Sequence, residues 1–86
     1  MERFLYSKYY LYPGRVLDKH FNLLVEFSGI RSEKVIKALG EHFVYGHPRT
    51  EVCKKHSVTQ GYLSVKIKKL QQLSKVIYEM KMFYNG

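Results

Sequence analysis

The segment from residue 47 to residue 75 constrains the fold most, because its apolar residues fit a short helix, a tight turn and a longer helix. The first helix is predicted to begin at about Pro48 or Arg49, where a proline costs nothing, and to end at His56. Thr59 is expected to cap the second helix. Six residues are predicted to pack inward: Val52, Cys53, Val58, Leu63, Ile67 and Leu70.

These inward residues occupy the positions that a helix-turn-helix requires. Such a motif needs a small buried residue midway through its first helix, an apolar residue in the turn and apolar anchors in the second helix. Cys53 is the small residue and Val58 is the turn anchor. Ser57 is a departure, because many such motifs have glycine at its position. The pattern predicts a helix-turn-helix and leaves open a helical pair that binds no DNA.

The same segment carries most of the surplus positive charge. Seven Lys or Arg residues oppose the single acid Glu51, which gives +6 of a net charge of +8. Each cation placed beside a phosphate releases condensed counterions, and this release drives duplex binding. The charge therefore predicts a DNA-binding module, with a solvated helix face as the alternative for the lysines.

Two further helices are predicted before this segment. The first runs from about Asp18 to Phe27, with Asp18 as its N-cap and Ser28-Gly29 as its stop. The second is capped by Ser32 and ended by Gly46. The inward residues are predicted to be Phe21, Leu24, Val25 and Phe27 in the first helix and Val35, Ile36, Leu39 and Phe43 in the second.

The last helix is expected to continue for about 20 residues, and no segment shows the alternation of a strand. Its inward side is predicted to hold Tyr62 or Leu63, Ile67, Leu70, Leu73 or Ser74, Ile77, Met80 and Tyr84. The predicted fold is all-α: a single small helix-turn-helix domain over residues 1–86, with about four helices and a long C-terminal one. Pro13-Gly14 separates an aromatic N-terminal arm, residues 1–13, and residues 76–86 form the end of the last helix.

Two apolar features are candidates for contact with a second copy of the chain. One is the stripe Ile77, Met80, Phe83 and Tyr84, which suits either the core of the chain or an oligomer contact. The other is the arm between Phe4 and Tyr12, which has the aromatic area to dock onto a neighbouring subunit. A domain of this size gains stability from association, so a homo-oligomer is expected.

Other classes of protein find little support in the sequence. Cys53 is the only cysteine, so no disulfide within the chain and no thiolate metal site is expected, and we expect it to pack in the core and not to sense redox state. The four histidines lack the spacing of metal ligands and are expected at the surface or half-buried. Patterns for a catalytic serine, paired carboxylates or a phosphate loop are missing, so we expect no enzyme, cofactor or small-molecule substrate. No apolar run approaches the roughly 20 residues that span a bilayer, which favours a soluble, cytoplasmic protein without a membrane partner.

The residues that the packing pattern leaves outward form the predicted DNA surface. Gln can donate to and accept from adenine, while Ser and Thr hydroxyls bind phosphates or bases and lysines hold phosphates. A glycine in the first turn allows the backbone to approach a surface closely. The predicted contact residues are Arg49, Lys54, Thr59, Gln60, Gly61, Tyr62, Ser64, Lys66, Lys68 and Lys69, with Cys53 as structural or DNA-binding support.

Two strings of the chain resemble the PapB-type adhesin-biosynthesis regulators of enterobacterial fimbrial operons: LYPGRVLDKHFNLLVEFSGIRSEKVIKAL and GHPRTEVCKKHSVTQGYLSVKIKKLQQL. The matching features are Pro13-Gly14, His20-Phe21, Leu23-Leu24, Ile30, Ser32, Val35-Ile36, Ala38-Leu39, Gly46, Arg49, Glu51, Cys53, Gly61-Tyr62, Ser64, Leu70 and Leu73. The resemblance implies a transcription regulator that binds repeated A·T-rich sites near a fimbrial promoter as an oligomer, with minor-groove or shape recognition. It also implies that the positions of Arg49 and Cys53 are important for DNA binding. Narrow A·T-rich minor grooves concentrate negative potential, which makes Arg49 the first candidate for insertion.

Two alternatives belong to other classes. The helical pair would suit a protein-interaction module whose lysines only solubilise it, and substitution of Arg49 and Lys66 separates this reading from DNA binding. General RNA binding is the third reading, and it predicts a preference for single strands.

Overall fold

A computed structural model describes residues 8–84 of the chain, and this part contains four helices and no strand. The helices are α1 (Asp18–Ser28), α2 (Glu33–Phe43), α3 (Arg49–His56) and α4 (Gln60–Tyr84). The predicted all-α class and the long C-terminal helix are confirmed.

The apolar core takes residues from all four helices and from the segment before α1. The helix α2 lies at its centre, because its apolar residues at three- and four-residue spacing form one continuous stripe. The predicted inward residues Val35, Leu39 and Phe43 are almost completely buried, and Ile36 is partly buried. The buried apolar residues are Leu11, Val16, Phe21, Leu24, Ile30, Val35, Ala38, Leu39, Phe43, Val52, Cys53, Val58, Leu63, Ile67 and Leu70.

The ends of α1 differ from the prediction in two details. Leu17, and not Asp18, is the N-cap residue, and Asp18 is the first helical residue, where its negative charge still suits the helix dipole. Gly29 ends the helix in the left-handed conformation at φ 77°, as the Ser28-Gly29 stop predicted. The inward placement of Phe27 was wrong, since its side chain is 73% exposed. Ser28 takes the inward position one residue later, and its hydroxyl donates to the Val25 carbonyl at 2.7 Å.

The helix α2 is shorter than predicted. Ser32 is its N-cap residue but makes no side-chain capping hydrogen bond, and the helix ends at Phe43, three residues before Gly46. Gly46 instead packs against Gly14, the residue that follows the arm, because a Cβ on Gly14 would lie 3.1 Å from the Gly46 Cα. A hydrogen bond of 3.2 Å from the Gly14 N–H to the His42 carbonyl fixes the chain there. His42 itself is buried, against the expectation of a surface or half-buried ring, and its Nδ1 donates to the His47 carbonyl at 2.9 Å.

The described end of the arm lies against α4 of the same chain. The Gln71 side-chain amide accepts from the Leu11 N–H and donates to the Leu11 carbonyl, both at 2.9 Å. The Ser74 hydroxyl donates to the Tyr9 carbonyl, and the Tyr9 ring packs 5.9 Å from that of Tyr78. This part of the arm is therefore used within the chain, while residues 1–7 lie outside the described residues.

The second half of α4 extends past the core. The buried side of the helix ends at Ser74. Of the two predicted alternatives at this point, Ser74 is buried and Leu73 is only partly buried. Ile77 and Met80 are partly exposed and Tyr84 is 76% exposed, so of the two alternatives for this stripe, packing in the core of the chain was wrong. Despite its length, α4 lacks the apolar character of a membrane span, as do the other helices of the described part.

Candidate nucleic-acid interface

The helices α3 and α4 are joined by a three-residue turn and held by the residues that the sequence predicted. Pro48 is the N-cap residue of α3, and its carbonyl accepts from the N–H groups of Glu51 and Val52, both at 3.1 Å. The predicted packing residues are all buried: Val52, Cys53, Val58, Leu63, Ile67 and Leu70. This burial fixes the relative position of the two helices, which leaves their outward residues on a rigid support.

The turn has the backbone shape that many helix-turn-helix motifs build with glycine. Ser57 lies in the left-handed region at φ 56° and ψ 47°, the only non-glycine residue of the described chain with positive φ. The carbonyl of Cys53 accepts from the N–H groups of Ser57 and Val58, the latter at 3.0 Å. Cys53 thus supports the turn in two ways: its side chain packs in the core, and its carbonyl accepts the hydrogen bonds that close the turn.

Thr59 caps α4 as predicted. Its Oγ1 accepts from the Tyr62 N–H at 3.2 Å, and its carbonyl accepts the first intrahelical bond from Leu63 at 3.0 Å. Gly61, in the first turn, has open space where a side chain would begin, since no atom lies within 4 Å of a Cβ built there. The packing of the chain therefore does not require glycine at this position.

The guanidinium of Arg49 lies across the seam between α3 and α4. Its Nη1 donates to the Ser64 Oγ at 3.1 Å, which joins two predicted contact residues that lie 15 positions apart. Gln60 and Lys54 line a separate groove of about 650 Å³ between α3 and the start of α4. Because successive helix residues are rotated by about 100°, Gln60, Ser64 and Lys68 form one row on α4.

Tyr62 and Lys66 occupy the other flank of α4. The Lys66 ammonium lies 5.2 Å from the centre of the Tyr62 ring, a cation–π distance. Tyr62 also lines a groove of about 390 Å³ that it shares with the start of α2, including Ser32 and Lys34. Lys69 lies elsewhere, in a groove beside Phe27 of α1. The structure therefore brings Arg49 together with the row that contains Ser64. The three predicted lysines of α4 point in different directions: Lys68 lies in that row, Lys66 beside Tyr62 and Lys69 beside Phe27.

Lys34 also belongs to this surface, although it was not predicted from the sequence. Its ammonium donates to the Ser57 carbonyl at 3.2 Å, so α2 adds a cation to the turn between α3 and α4. Nothing in the local pattern signals this contact, because the two residues are 23 positions apart and meet only through the packing of α2 on α3.

A cluster around Glu41 joins α2 to α3 and pairs one exposed lysine with a carboxylate. The Lys55 ammonium lies 3.2 Å from Glu41 Oε2, the His56 Nε2 lies 3.1 Å from the same oxygen, and His47 Nδ1 lies 3.8 Å from Oε1. Burial alone would raise the pKa of the Glu41 carboxyl, but the Lys55 ammonium and the His56 ring together hold the pKa below its ordinary value. Lys55 is thus committed to an ion pair within the chain, whereas Lys54 faces the groove beside Gln60.

The described part of this surface offers no group of metal ligands. Among residues 8–84, no three His, Cys, Asp or Glu side chains come together in a way that would hold a metal ion. The arrangement instead presents cations and hydroxyl and amide groups on a fixed pair of helices, which are the groups that contact phosphates and base edges.

Residues 2–84 match the sequence model of the PapB family, whose members are described as adhesin biosynthesis transcription regulatory proteins. The chain belongs to this family. The resemblance drawn from the sequence is thereby confirmed, as is the expectation that the chain is no enzyme, since the family consists of transcription regulators.

Curated relatives from Escherichia coli agree with this assignment. The regulatory protein FanB is 50% identical over 74 residues, which cover 86% of this chain and 75% of FanB. The AFA-III adhesin operon regulatory protein is 41% identical over 87 residues, covering 96% of this chain and 86% of the relative. The pilus subunit operon regulatory protein PapB is 36% identical over 74 residues, covering 86% of this chain and 71% of PapB.

The fold is also that of a solved structure. The crystal structure of E. coli FocB matches with a TM-score of 0.81 at 30% identity, covering 96% of this chain and 97% of FocB. The helix arrangement that supports the candidate surface is therefore shared with a protein whose structure is known.

Proposed function

We propose that this transcription regulator controls a fimbrial or adhesin operon by binding A·T-rich double-stranded DNA as an oligomer. The observation that carries the proposal is the Arg49 guanidinium, held at the seam of α3 and α4 by Ser64 on the most basic segment of the chain. The printed names of the relatives, which are regulators of adhesin and pilus operons, support the choice of operon. A regulator of this kind acts where the chromosome is, so the cytoplasm is its proposed location.

The geometry supports different roles for the two flanks of α4. On the α3 side, Arg49 is proposed to enter a narrow minor groove, where negative potential is concentrated. Lys54 and Lys68 on this side, and Lys66 on the other flank, are proposed to hold phosphates. Thr59, Gln60 and Tyr62 lie at the N-terminal end of α4, where hydroxyl, amide and N–H groups can position the DNA backbone or reach a base edge.

The exposed second half of α4 supports the oligomeric part of the proposal. Met80, Phe83 and Tyr84 leave large apolar area in solvent, and contiguous apolar area of this kind marks interaction surfaces. With the first half of α4 anchored in the core, this apolar end is presented on a continuous helix. A second copy that covered it would join two basic segments in one assembly.

Salt dependence of DNA affinity tests the proposal directly. For about five phosphate contacts, raising the salt from about 50 to 200 mM is expected to weaken binding to an A·T-rich duplex by about 10² to 10³ fold. Fluorescence anisotropy of a labelled duplex measures this, and Lys68→Gln is expected to reduce the slope of log K against log salt by about 1. Lys19→Gln, which removes the same charge from the exposed side of α1, is the matched control and should leave the slope unchanged. A flat salt dependence would overturn the proposal.

A protein-interaction module without DNA binding is the second candidate. The observation that favours it is an apolar groove of about 480 Å³ between α1 and the end of α4, lined among others by Phe27, Ile77 and Met80. This function predicts that joint substitution of Arg49 and Lys66 leaves DNA affinity unchanged, whereas joint substitution of Phe27 and Met80 by serine in the groove abolishes binding of a protein partner. Loss of DNA affinity with the fold intact, shown by an unchanged circular dichroism spectrum, would exclude it.

A further inference from the structure

We infer that Ser64 is a positioning residue, which holds the Arg49 guanidinium ready for the A·T-rich groove and does not itself contact DNA. The inference rests on the proposed function, because it concerns the same surface. From its position in the sequence, Ser64 was predicted to contact DNA directly through its hydroxyl.

The backbone on both sides of the pair is fixed. Arg49 is the first residue of α3, directly after Pro48, whose carbonyl accepts the first hydrogen bonds of the helix. Ser64 follows Leu63, which has no exposed surface, and precedes the buried Ile67 by less than one turn. Ser64 thus sits at a set place in the seam, and its solvent-exposed 3.1 Å bond sets where the long arginine side chain ends.

A serine at this place leaves the guanidinium free to bind. The guanidinium has five N–H donors, and Ser64 accepts from Nη1 alone, so the other donors remain for acceptors on DNA. The hydroxyl is uncharged, whereas a carboxylate there would neutralise the cation. Within residues 8–84 no carboxylate lies within ion-pair distance of Arg49, although Glu51 is two residues away on the same helix. The surroundings therefore orient the charge and keep it available.

Fixing a long side chain before binding improves affinity, because less rotamer freedom is lost when the complex forms. The affinity increases only for a DNA whose groove fits the oriented side chain. Since narrow A·T-rich minor grooves attract an inserted arginine, the Arg49–Ser64 bond is expected to act on the preference for A·T-rich over G·C-rich duplex. A direct hydroxyl contact to phosphate would raise affinity for both sequences equally.

A double-mutant cycle with Ser64→Ala and Arg49→Ala tests the inference, with anisotropy on an A·T-rich and a G·C-rich duplex. Loss of one hydrogen bond predicts that Ser64→Ala weakens A·T-rich binding roughly threefold to tenfold. The salt slope should stay the same, because no charge is removed, and binding to the G·C-rich duplex should change less. In the Arg49→Ala background, Ser64→Ala should have no further effect, because its partner is already gone. Ser64→Thr keeps the hydroxyl and should restore most of the affinity.

The outcomes separate this inference from the proposed function. If Arg49→Ala leaves affinity unchanged, the proposed DNA surface is wrong. If Arg49→Ala weakens binding and Ser64→Ala causes the same additional loss in both backgrounds, Ser64 contacts DNA directly and only the positioning role is refuted. Thermal melts of each variant accompany the titrations. If Ser64→Ala loses affinity and Ser64→Thr has the same melting temperature but does not restore that affinity, the role of the hydroxyl is also refuted.

Discussion

Gly61→Ala separates the stability of this protein from its proposed function. Gly61 lies in the first turn of α4 with a helical backbone, and a Cβ there would meet no atom within 4 Å. Alanine in place of glycine stabilises a helix interior by about 1 kcal/mol and a first turn by less, so we expect a gain of about 0.5 kcal/mol. For a domain of this size that gain corresponds to a rise in Tm of roughly 2 to 4 °C.

The same methyl group is expected to weaken DNA binding, because it stands where the backbone of α4 would approach the duplex. Differential scanning calorimetry and anisotropy on an A·T-rich duplex measure the two effects on one preparation. Gly40→Ala is the matched control: it also lies in a helix, but its Cβ would meet the Phe21 ring at 3.3 Å within the core. It should gain less stability than Gly61→Ala and leave DNA affinity unchanged. A more stable Gly61→Ala protein with unchanged DNA affinity would refute the close approach, and a less stable one would refute the open space at this position.

Three further predictions concern the packing of the chain. Leu39→Ala, at a side chain with no exposed surface, should lower the free energy of unfolding by about 2 to 5 kcal/mol in urea titrations. Gln71→Ala removes both partners of the Leu11 backbone and should cost about 1 to 3 kcal/mol, measured in the same way, with faster hydrogen exchange at the Leu11 amide. The Glu41 carboxyl, whose pKa is lowered in the folded state, contributes stability above its ordinary pKa of 4.5, and this is lost as the pH falls through the folded-state pKa. Glu41→Gln should therefore flatten the acid side of the stability profile, and an unchanged profile would contradict the ion pair with Lys55.

The parts of the fold that sequence predicts well are those set by local pattern. The stripe of α2 and the α4 residues Leu63, Ile67 and Leu70 repeat at helical spacing, and this spacing predicted the face that each helix buries. Thr59 was correct as a cap because its hydroxyl acts on an N–H only three residues away. The inward placement of Phe27 was wrong because Phe21, Leu24 and Ser28 form the buried face of α1, and Phe27 is rotated away from that face.

The parts that sequence could not predict depend on contacts between distant residues. Met80 and Tyr84 continue the period of α4, but they stay exposed along an open groove between α1 and the end of α4. The Arg49–Ser64 bond joins two residues that were both predicted for the surface, yet their pairing comes from the way α3 crosses α4. Lys34 reaches the turn only because α2 packs beside it.

The amide pair between Gln71 and Leu11 has a consequence for folding kinetics. It joins positions 60 residues apart, so forming it closes a long loop whose entropy cost is recovered only after the helices between them have packed. We therefore expect the pair to form after the rate-limiting barrier, and Gln71→Ala to speed unfolding while leaving the refolding rate nearly unchanged. Contacts of the arm would then slow unfolding, whereas the refolding rate would depend on the packing of the helices.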